Sequence, residues 1–476
     1  MKTNKLILLT SAIGLGMIAG LSLPAQAAPK KKGPDPAIVA GKKTQAMLDQ
    51  VDHWVPLFNG KDFTGWTGDT ANYKIDGVNV SCPKGAHSIT SEKEYGDFIL
   101  DFSFKLETAG NNGIGLRVPK GGAPHLDGME IQILDSQYKN AKSWQVHGSI
   151  YGVVPAKTGY LKPAGEWNHQ TIICIEDHVK VIVNGAVIVD ANLDRVSPVE
   201  GKSHPGLRNP KGHLMILGHN DHVEFKDMKI ADYSPSPSKA ASDKDNTPPK
   251  GFTTMFNGKD LSGWKGLADG NAPKRRALKG ADLKKAQEIA DKIMTEHWSV
   301  KNGELVYDGT GKSLCTSKDY GDFEFYIDWK IPAGADSGIY LRGTPQVQIW
   351  DPWDNTLKDR KAKTSKPATT PKDIVAAYKT GRNLGSGSLW NNRHARNQPL
   401  VLADNPIGEW NTFLIRMVGE KVTIWLNDKL IVDRTVLENY WDKTRQTPVF
   451  REDQIELQHH GSDLYFKNLY IREIPY

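Results

Sequence analysis

Between Phe98 and Leu106 every second position is apolar: Phe98, Leu100, Phe102, Phe104 and Leu106 alternate with polar partners. Phe323, Phe325, Ile327, Trp329 and Ile331 repeat the pattern. A period of two predicts strands with one face buried. "HVKVIVNGAVIVD" (178–190) reads as two strands around Asn184-Gly185, a strong hairpin signal, and "KVTIWLNDKLIVD" (421–433) repeats it at Asn427-Asp428. Helical spacing is confined to "ALKGADLKKAQEIADKIM" (277–294), with apolar residues at i, i+3 and i+4.

The strands belong to a domain written twice. "LFNGKDFTGW" (57–66) returns as "MFNGKDLSGW" (255–264), and "EYGDFILDFSFKL" (94–106) as "DYGDFEFYIDWKI" (319–331). "NNGIGLRV" (111–118) returns as "DSGIYLRG" (336–343), and "IQILD" (131–135) as "VQIWD" (347–351). "GEWN" stands at 165–168 and 408–411, and "LGHNDHVEFKDMKI" (217–230) matches "QHHGSDLYFKNLYI" (458–471). The shared order marks a tandem duplication. The spacing between copies widens along the chain, which puts extra length in the second copy: a helical insertion at about 275–297 and a Lys/Thr/Pro-rich loop around 352–385. The expected organisation is an N-terminal extension (28–53), a first β-sandwich (54–232), a Pro/Ser/Lys linker (233–250) and a second β-sandwich (251–476). The fold class is all-β, with two sandwiches or jelly rolls.

One face of such a sheet packs on the core, and the other meets solvent or a cleft. In "MEIQILD" (129–135), Met129, Ile131 and Ile133 take the core, so Glu130 and Gln132 face out. In "NNGIGLRV", Ile114, Leu116 and Val118 share one face and leave Gly113, Gly115 and Arg117 on the other. His219 lies on the face of Met215 and Leu217. The second copy repeats this parity with Arg342, then Gln346 and Gln348, then Glu456, Gln458 and His460. Large hydrogen-bonding side chains beside glycines suit a concave floor for a hydroxyl-rich ligand; the alternative is an ordinary solvated face. Trp144, His147, Tyr151 and Trp390 lie in loops and suit an aromatic rim. Trp66, Trp264, Trp167 and Trp410 recur at matching positions and read as core residues.

Composition narrows the setting. Residues 1–27 have Lys2 and Lys5, an apolar run and Ala25-Gln26-Ala27, the pattern of a cleaved secretory leader. No later segment is long and apolar enough to span a bilayer, and 38% hydrophobic residues suit a globular protein. Cys82, Cys174 and Cys315 form neither a disulfide framework nor a zinc pattern. The net charge of +6 falls to a mild value once Lys2 and Lys5 go with the expected leader, without a nucleic-acid footprint, and no GxGxxG or P-loop occurs.

Taken as an ordered set, the FNGKD, YGDF, GI-x-LR, IQILD/VQIWD, GEWN and HND/QHH motifs resemble the 3-keto-disaccharide hydrolase domain family. The resemblance implies a bacterial protein, periplasmic or secreted, with concanavalin A-like jelly-roll sandwiches. It also implies action on glycosides whose sugar a separate sugar 3-dehydrogenase has oxidised at carbon 3. The family pattern maps onto Arg117, Glu130, Gln132, Asp135 and His219 in the first copy, where Leu217 departs from an expected glutamine. In the second it maps onto Arg342, Gln348, Asp351, Gln458 and His460, with Gln346 in place of the glutamate. Neither copy is complete. A C3 ketone acidifies C2–H, so the implied chemistry is C2 proton abstraction and elimination, then hydration. His219 or Glu130 would be the base, Arg117 the enolate partner, and Gln132 and Asp135 the groups orienting hydroxyls or sharing a proton. Two alternatives stay open: a lectin-like binding protein, and a two-carboxylate glycosidase, for which Glu130 and Asp135 would have to share a face. No cofactor is required. Asp135, His147 and His219 could converge on a divalent metal, but no spacing demands one.

Overall fold

A computed structural model describes residues 34–236, 244–343, 346–352 and 385–475. Residues 1–33, where the leader is expected, the middle of the linker (237–243) and all but the ends of the 352–385 loop lie outside the described residues.

Among the described residues the strands form four antiparallel sheets, an eight-stranded and a five-stranded one in each copy. The two sheets of a copy face each other as a jelly-roll sandwich. The alternation in Phe98–Leu106 sends Phe102 and Phe104 inward against Ile114, Leu116, Ile131 and Ile133 of the smaller sheet. Phe325, Ile327 and Trp329 meet Ile339, Val347 and Ile349 in the second copy. Both hairpins form as read, with Asn184, Gly185, Asn427 and Asp428 all at positive φ. Trp66 and Trp264 are buried. Trp167 and Trp410 are not core residues: each lies half-buried on the outside under two lysine ammoniums, Lys105 and Lys226 over one, Lys330 and Lys467 over the other.

The N-terminal extension carries helix α1 (Pro36–Leu48), started by Asp35, whose carboxylate accepts from the Ala37 N–H at 2.8 Å. α1 packs on the strand Ala186–Asn192, and Gly41 lets the Gly185 carbonyl approach where any Cβ would collide. A second helix, α2 (Pro124–Asp127), lies over the outer face of the first copy's smaller sheet. The insertion in the second copy is two helices, α3 (Ala272–Ala277) and α4 (Gly280–His297). α4 packs on the strand Trp264–Gly266, with Gln287 Nε2 donating to the Gly266 carbonyl at 2.8 Å. α3 sends Arg275 to Asp453 at 3.4 Å.

The copies meet through their larger sheets. Ile99, Ile173, Ile175 and Tyr233 form one apolar cluster with Val418 and Ile474. At its edge Arg416, fully buried, reaches Asp97 at 2.6 Å and Glu176 at 3.2 Å in the first copy and Glu324 in its own. This network fixes where one site residue points.

Candidate active site

Strand register places the outward residues of the first small sheet on a grid. Glu130 pairs with Gly115, which pairs with Met215. One row along, Gln132 pairs with Gly113, whose carbonyl accepts from the Leu217 N–H at 3.0 Å. His219 follows two residues after Leu217. Rows are about 7 Å apart and columns about 4.8 Å, so the surface is the size of a disaccharide.

The glycines do not leave this floor empty. A Cβ on Gly113 would lie 2.6 Å from Glu130 Oε1, so the carboxylate itself lies over Gly113. Pro124 of α2 and Met215 close over Gly115, each 3.0 Å from the Cβ position. The carboxylate thereby leans toward the His219 row. Glu130 is 4% exposed, and no hydrogen bond reaches its side chain from the described residues. Burial alone pushes its pKa up to about 7. Gln132 is fixed by donating to Asn111 Oδ1 at 2.7 Å and to the Asn112 carbonyl at 3.0 Å. His219 has its pKa lowered, chiefly by burial, and its Nε2 has no partner among the described residues.

The segment after the floor strand supplies the wall. The Tyr151 N–H donates to the Glu130 carbonyl at 2.9 Å, and its hydroxyl accepts from Gln145 Nε2 at 3.1 Å. Trp144 meets Tyr151 edge-on at 5.1 Å, and His125 of α2 approaches Tyr151 at 6.1 Å. His125 and His204 are groups that sequence reading missed. His204 precedes the short turn Pro205–Arg208 that packs on α2, and its pKa is lowered, first by burial and then by His125 among its neighbours. Both lie in loops without alternation, where only their residue type could have drawn notice.

Three first-copy assignments are corrected. Arg117 leaves the face: its φ is 51°, and the register slips between His213 and Met215 opposite it. Such a bulge turns the side chain away from strand parity. Its guanidinium donates to the carbonyls of Gly96 at 2.8 Å and Glu176 at 2.7 Å, and to Asp97 at 3.0 Å. Arg117 therefore shares Asp97 with Arg416 and is a structural clamp. Arg342, with φ 50°, does the same for Asp322 at 3.4 Å and for the Arg451 and Gly419 carbonyls. Asp135 is off the Glu130 face and closes a turn, accepting from the Ala109 N–H at 2.7 Å, and Asp351 accepts from Gly334 N–H at 2.8 Å. His147 is interior, not rim: it stacks on Phe104 at 4.9 Å, accepts from the Leu134 N–H, and burial lowers its pKa to about 4. Asp135, His147 and His219 do not converge, and no group of three metal-ligating side chains occurs among the described residues.

Arg117→Ala should accordingly lower thermal stability, by about 3 kcal/mol for a broken buried pair. Its kcat/KM per folded molecule should change less than about threefold. Calorimetry and an activity assay on the same sample separate the two roles.

The second copy keeps the grid with other residues. Gln346 pairs with Tyr340, which pairs with Glu456; Gln348 pairs with Gly338, whose carbonyl accepts from the Gln458 N–H. His460 follows, 3.5 Å from Asp336. Trp390 stands beside Gln346 on the same face, 47% exposed.

The profile of the 3-keto-alpha-glucoside-1,2-lyase-like domain matches residues 53–231 and again 251–472. The chain belongs to this family. A 3-keto-disaccharide hydrolase of Bacteroides thetaiotaomicron is 22% identical over 243 residues, which is 47% of this chain and 78% of that protein. A candidate glycosyl hydrolase from Parabacteroides distasonis is 26% identical, covering 38% of this chain and 98% of its own with a TM-score of 0.34. The carbohydrate binding module CBM66 from Bacillus subtilis is 13% identical, covering 35% and 96%, with a TM-score of 0.24. The first family match begins after α1, and the second spans the helical insertion. Among the described residues no helix is long and apolar enough to cross a membrane.

Proposed function

We propose that the first copy cleaves the glycosidic bond of a 3-keto-α-glucoside, with Glu130 as the base at C2. The observation that carries this reading is Glu130 itself: a buried carboxylate lying over Gly113, without a hydrogen-bond partner among the described residues, with its pKa pushed up to about 7. Such a group exchanges a proton readily at neutral pH.

Glu130 takes the C2 proton, and the electron pair spreads over C2, C3 and the ketone oxygen. Collapse of that enolate forms the C1=C2 bond and breaks C1–O; the proton on Glu130 is then available to the departing oxygen. Water adds at C1 and a proton returns to C2, so the sum is hydrolysis. Arg117 takes no part. The Tyr151 hydroxyl accepts from Gln145 and keeps its own proton to donate toward the enolate oxygen. His219, its pKa lowered by burial and its Nε2 without a partner among the described residues, suits the base that activates the incoming water. Gln132 and Asn111 would hold sugar hydroxyls, and Trp144 and Tyr151 would border the ring. The leader-like pattern of residues 1–27 supports a periplasmic or secreted setting for this chemistry, and a ketone at C3 calls for an oxidoreductase acting there to supply the substrate.

The test is a paired assay of the mature protein with a 3-keto-α-glucoside and its unoxidised parent. Release from the ketone alone supports elimination; release from both, or from neither, contradicts it. Because the base must be ionised, kcat/KM should fall as pH drops below about 7. A pH–rate profile from pH 5 to 9 checks this.

A further inference from the structure

The second copy carries the same floor with its acid exchanged for an amide. Gln346 occupies the Glu130 position, and its Nε2 lies over Gly338 as the Glu130 carboxylate lies over Gly113. That amide donates to Gln458 Oε1 at 2.6 Å and Gln348 Oε1 at 3.0 Å. Gln348 in turn donates to Asp336, which faces His460. The result is a chain of side-chain hydrogen bonds from the buried floor to Asp336, with the exposed His460 3.5 Å beyond it. It ends in uncommitted polar groups: no hydrogen bond from Gln458 Nε2 occurs among the described residues.

Aromatic rings flank the chain. Trp350 continues the outward face of Gln346 and Gln348, and Trp390 packs against it with ring centres 5.7 Å apart. Trp390 is 47% exposed, an open indole face beside a row of amides. Tyr340 replaces Gly115 and extends the same wall. Indole faces stack on the C–H side of a pyranose, while amides pair with hydroxyls as both donors and acceptors.

We propose that the second copy is a saccharide-binding site that holds an unoxidised α-glucoside without cleaving it. This rests on the reading that the outer face of the small sheet takes sugar in both copies. An amide cannot remove the C2 proton, so the group that starts elimination is absent. Glu456, at the register of Met215, does not replace it. Burial pushes the Glu456 pKa up to about 7, as it does for Glu130, but the Tyr340 strand separates Glu456 from the Glu130 position. Ser313 and Arg275 of α3 oppose the rise, whereas Glu130 has no such partner among the described residues. The duplicated chain thus retains glycan at one face while the other face reacts.

The experiment titrates maltose into the full mature chain carrying Glu130→Gln, read by calorimetry and tryptophan fluorescence. Saturable binding is expected, weakened at least about tenfold by an added Trp390→Ala and less than about threefold by Trp390→Phe. The phenylalanine variant keeps a stacking face and so controls for folding. The absence of saturable binding, or equal loss in both variants, would overturn the proposal. So would persisting cleavage of a 3-keto-α-glucoside by the Glu130→Gln chain that Glu456→Gln removes. Wild-type protein that binds maltose through Trp390 yet cleaves no ketone would support this site and contradict only the reading of the first copy.

Discussion

Glu130→Gln should abolish cleavage of a 3-keto-α-glucoside and, at pH 8, make the protein more stable. The loss of rate follows from removing the base, and should reach about 10³-fold. The gain in stability follows from burial. The folded-state pKa is about 7, above the ordinary 4.5, with desolvation as the cause. Below pH 4.5 the carboxyl is neutral in folded and unfolded chains alike and costs nothing. As pH rises from 4.5 through 7, the unfolded chain ionises easily while the folded chain must ionise a buried group. Above pH 7 the penalty is complete, up to about 3 kcal/mol at 1.36 kcal/mol per pKa unit. The neutral glutamine escapes it, and Gln346 already shows an amide seated at this register. Thermal unfolding of both proteins at pH 4.5 and pH 8 checks the sign: equal at the first, the variant higher at the second. A glutamate kept for structure would lose stability when changed.

Arg416→Ala should be the most destabilising single change, costing about 3–5 kcal/mol. Its side chain is 1% exposed and serves Asp97, Glu176 and Glu324 together, with the Tyr233 carbonyl at 2.8 Å. Deleting it leaves buried carboxylates short of a cation. Arg117 still holds Asp97 and Arg472 still holds Glu324, so each copy retains its own clamp. The damage therefore falls on the contact between copies. Calorimetry should show the wild type melting as one unit and the variant as two overlapping transitions. A single unshifted transition would show that the Ile99–Val418 apolar cluster and the remaining ion pairs between copies, such as Lys421–Asp177, hold them together without Arg416.

Alternation along the sequence located the floor well, because strand parity is a local property. Glu130, Gln132, Gln346 and Gln348 lie on the outward face that their neighbours dictated. Arg117 and Arg342 escaped that logic, since one left-handed residue in a bulge cancels the period of two. Loop residues carry no period: His147 turned inward onto Phe104, while Tyr151 and Trp144 turned to the rim. The role of Arg416 was out of reach for another reason. In "NTFLIRMV" it sits at an outward position with Thr412 and Leu414, as a solvated arginine would. Only the partner copy, more than two hundred residues away in sequence, buries it.

Everything proposed for catalysis depends on the breaking of one bond, C2–H of the oxidised ring, before the glycosidic bond goes. The direct measurement compares a 3-keto-α-glucoside with the same compound deuterated at C2. A normal primary isotope effect on kcat/KM is expected in the wild-type protein. Equal rates for the two compounds, with the unoxidised parent cleaved as well, would contradict the account.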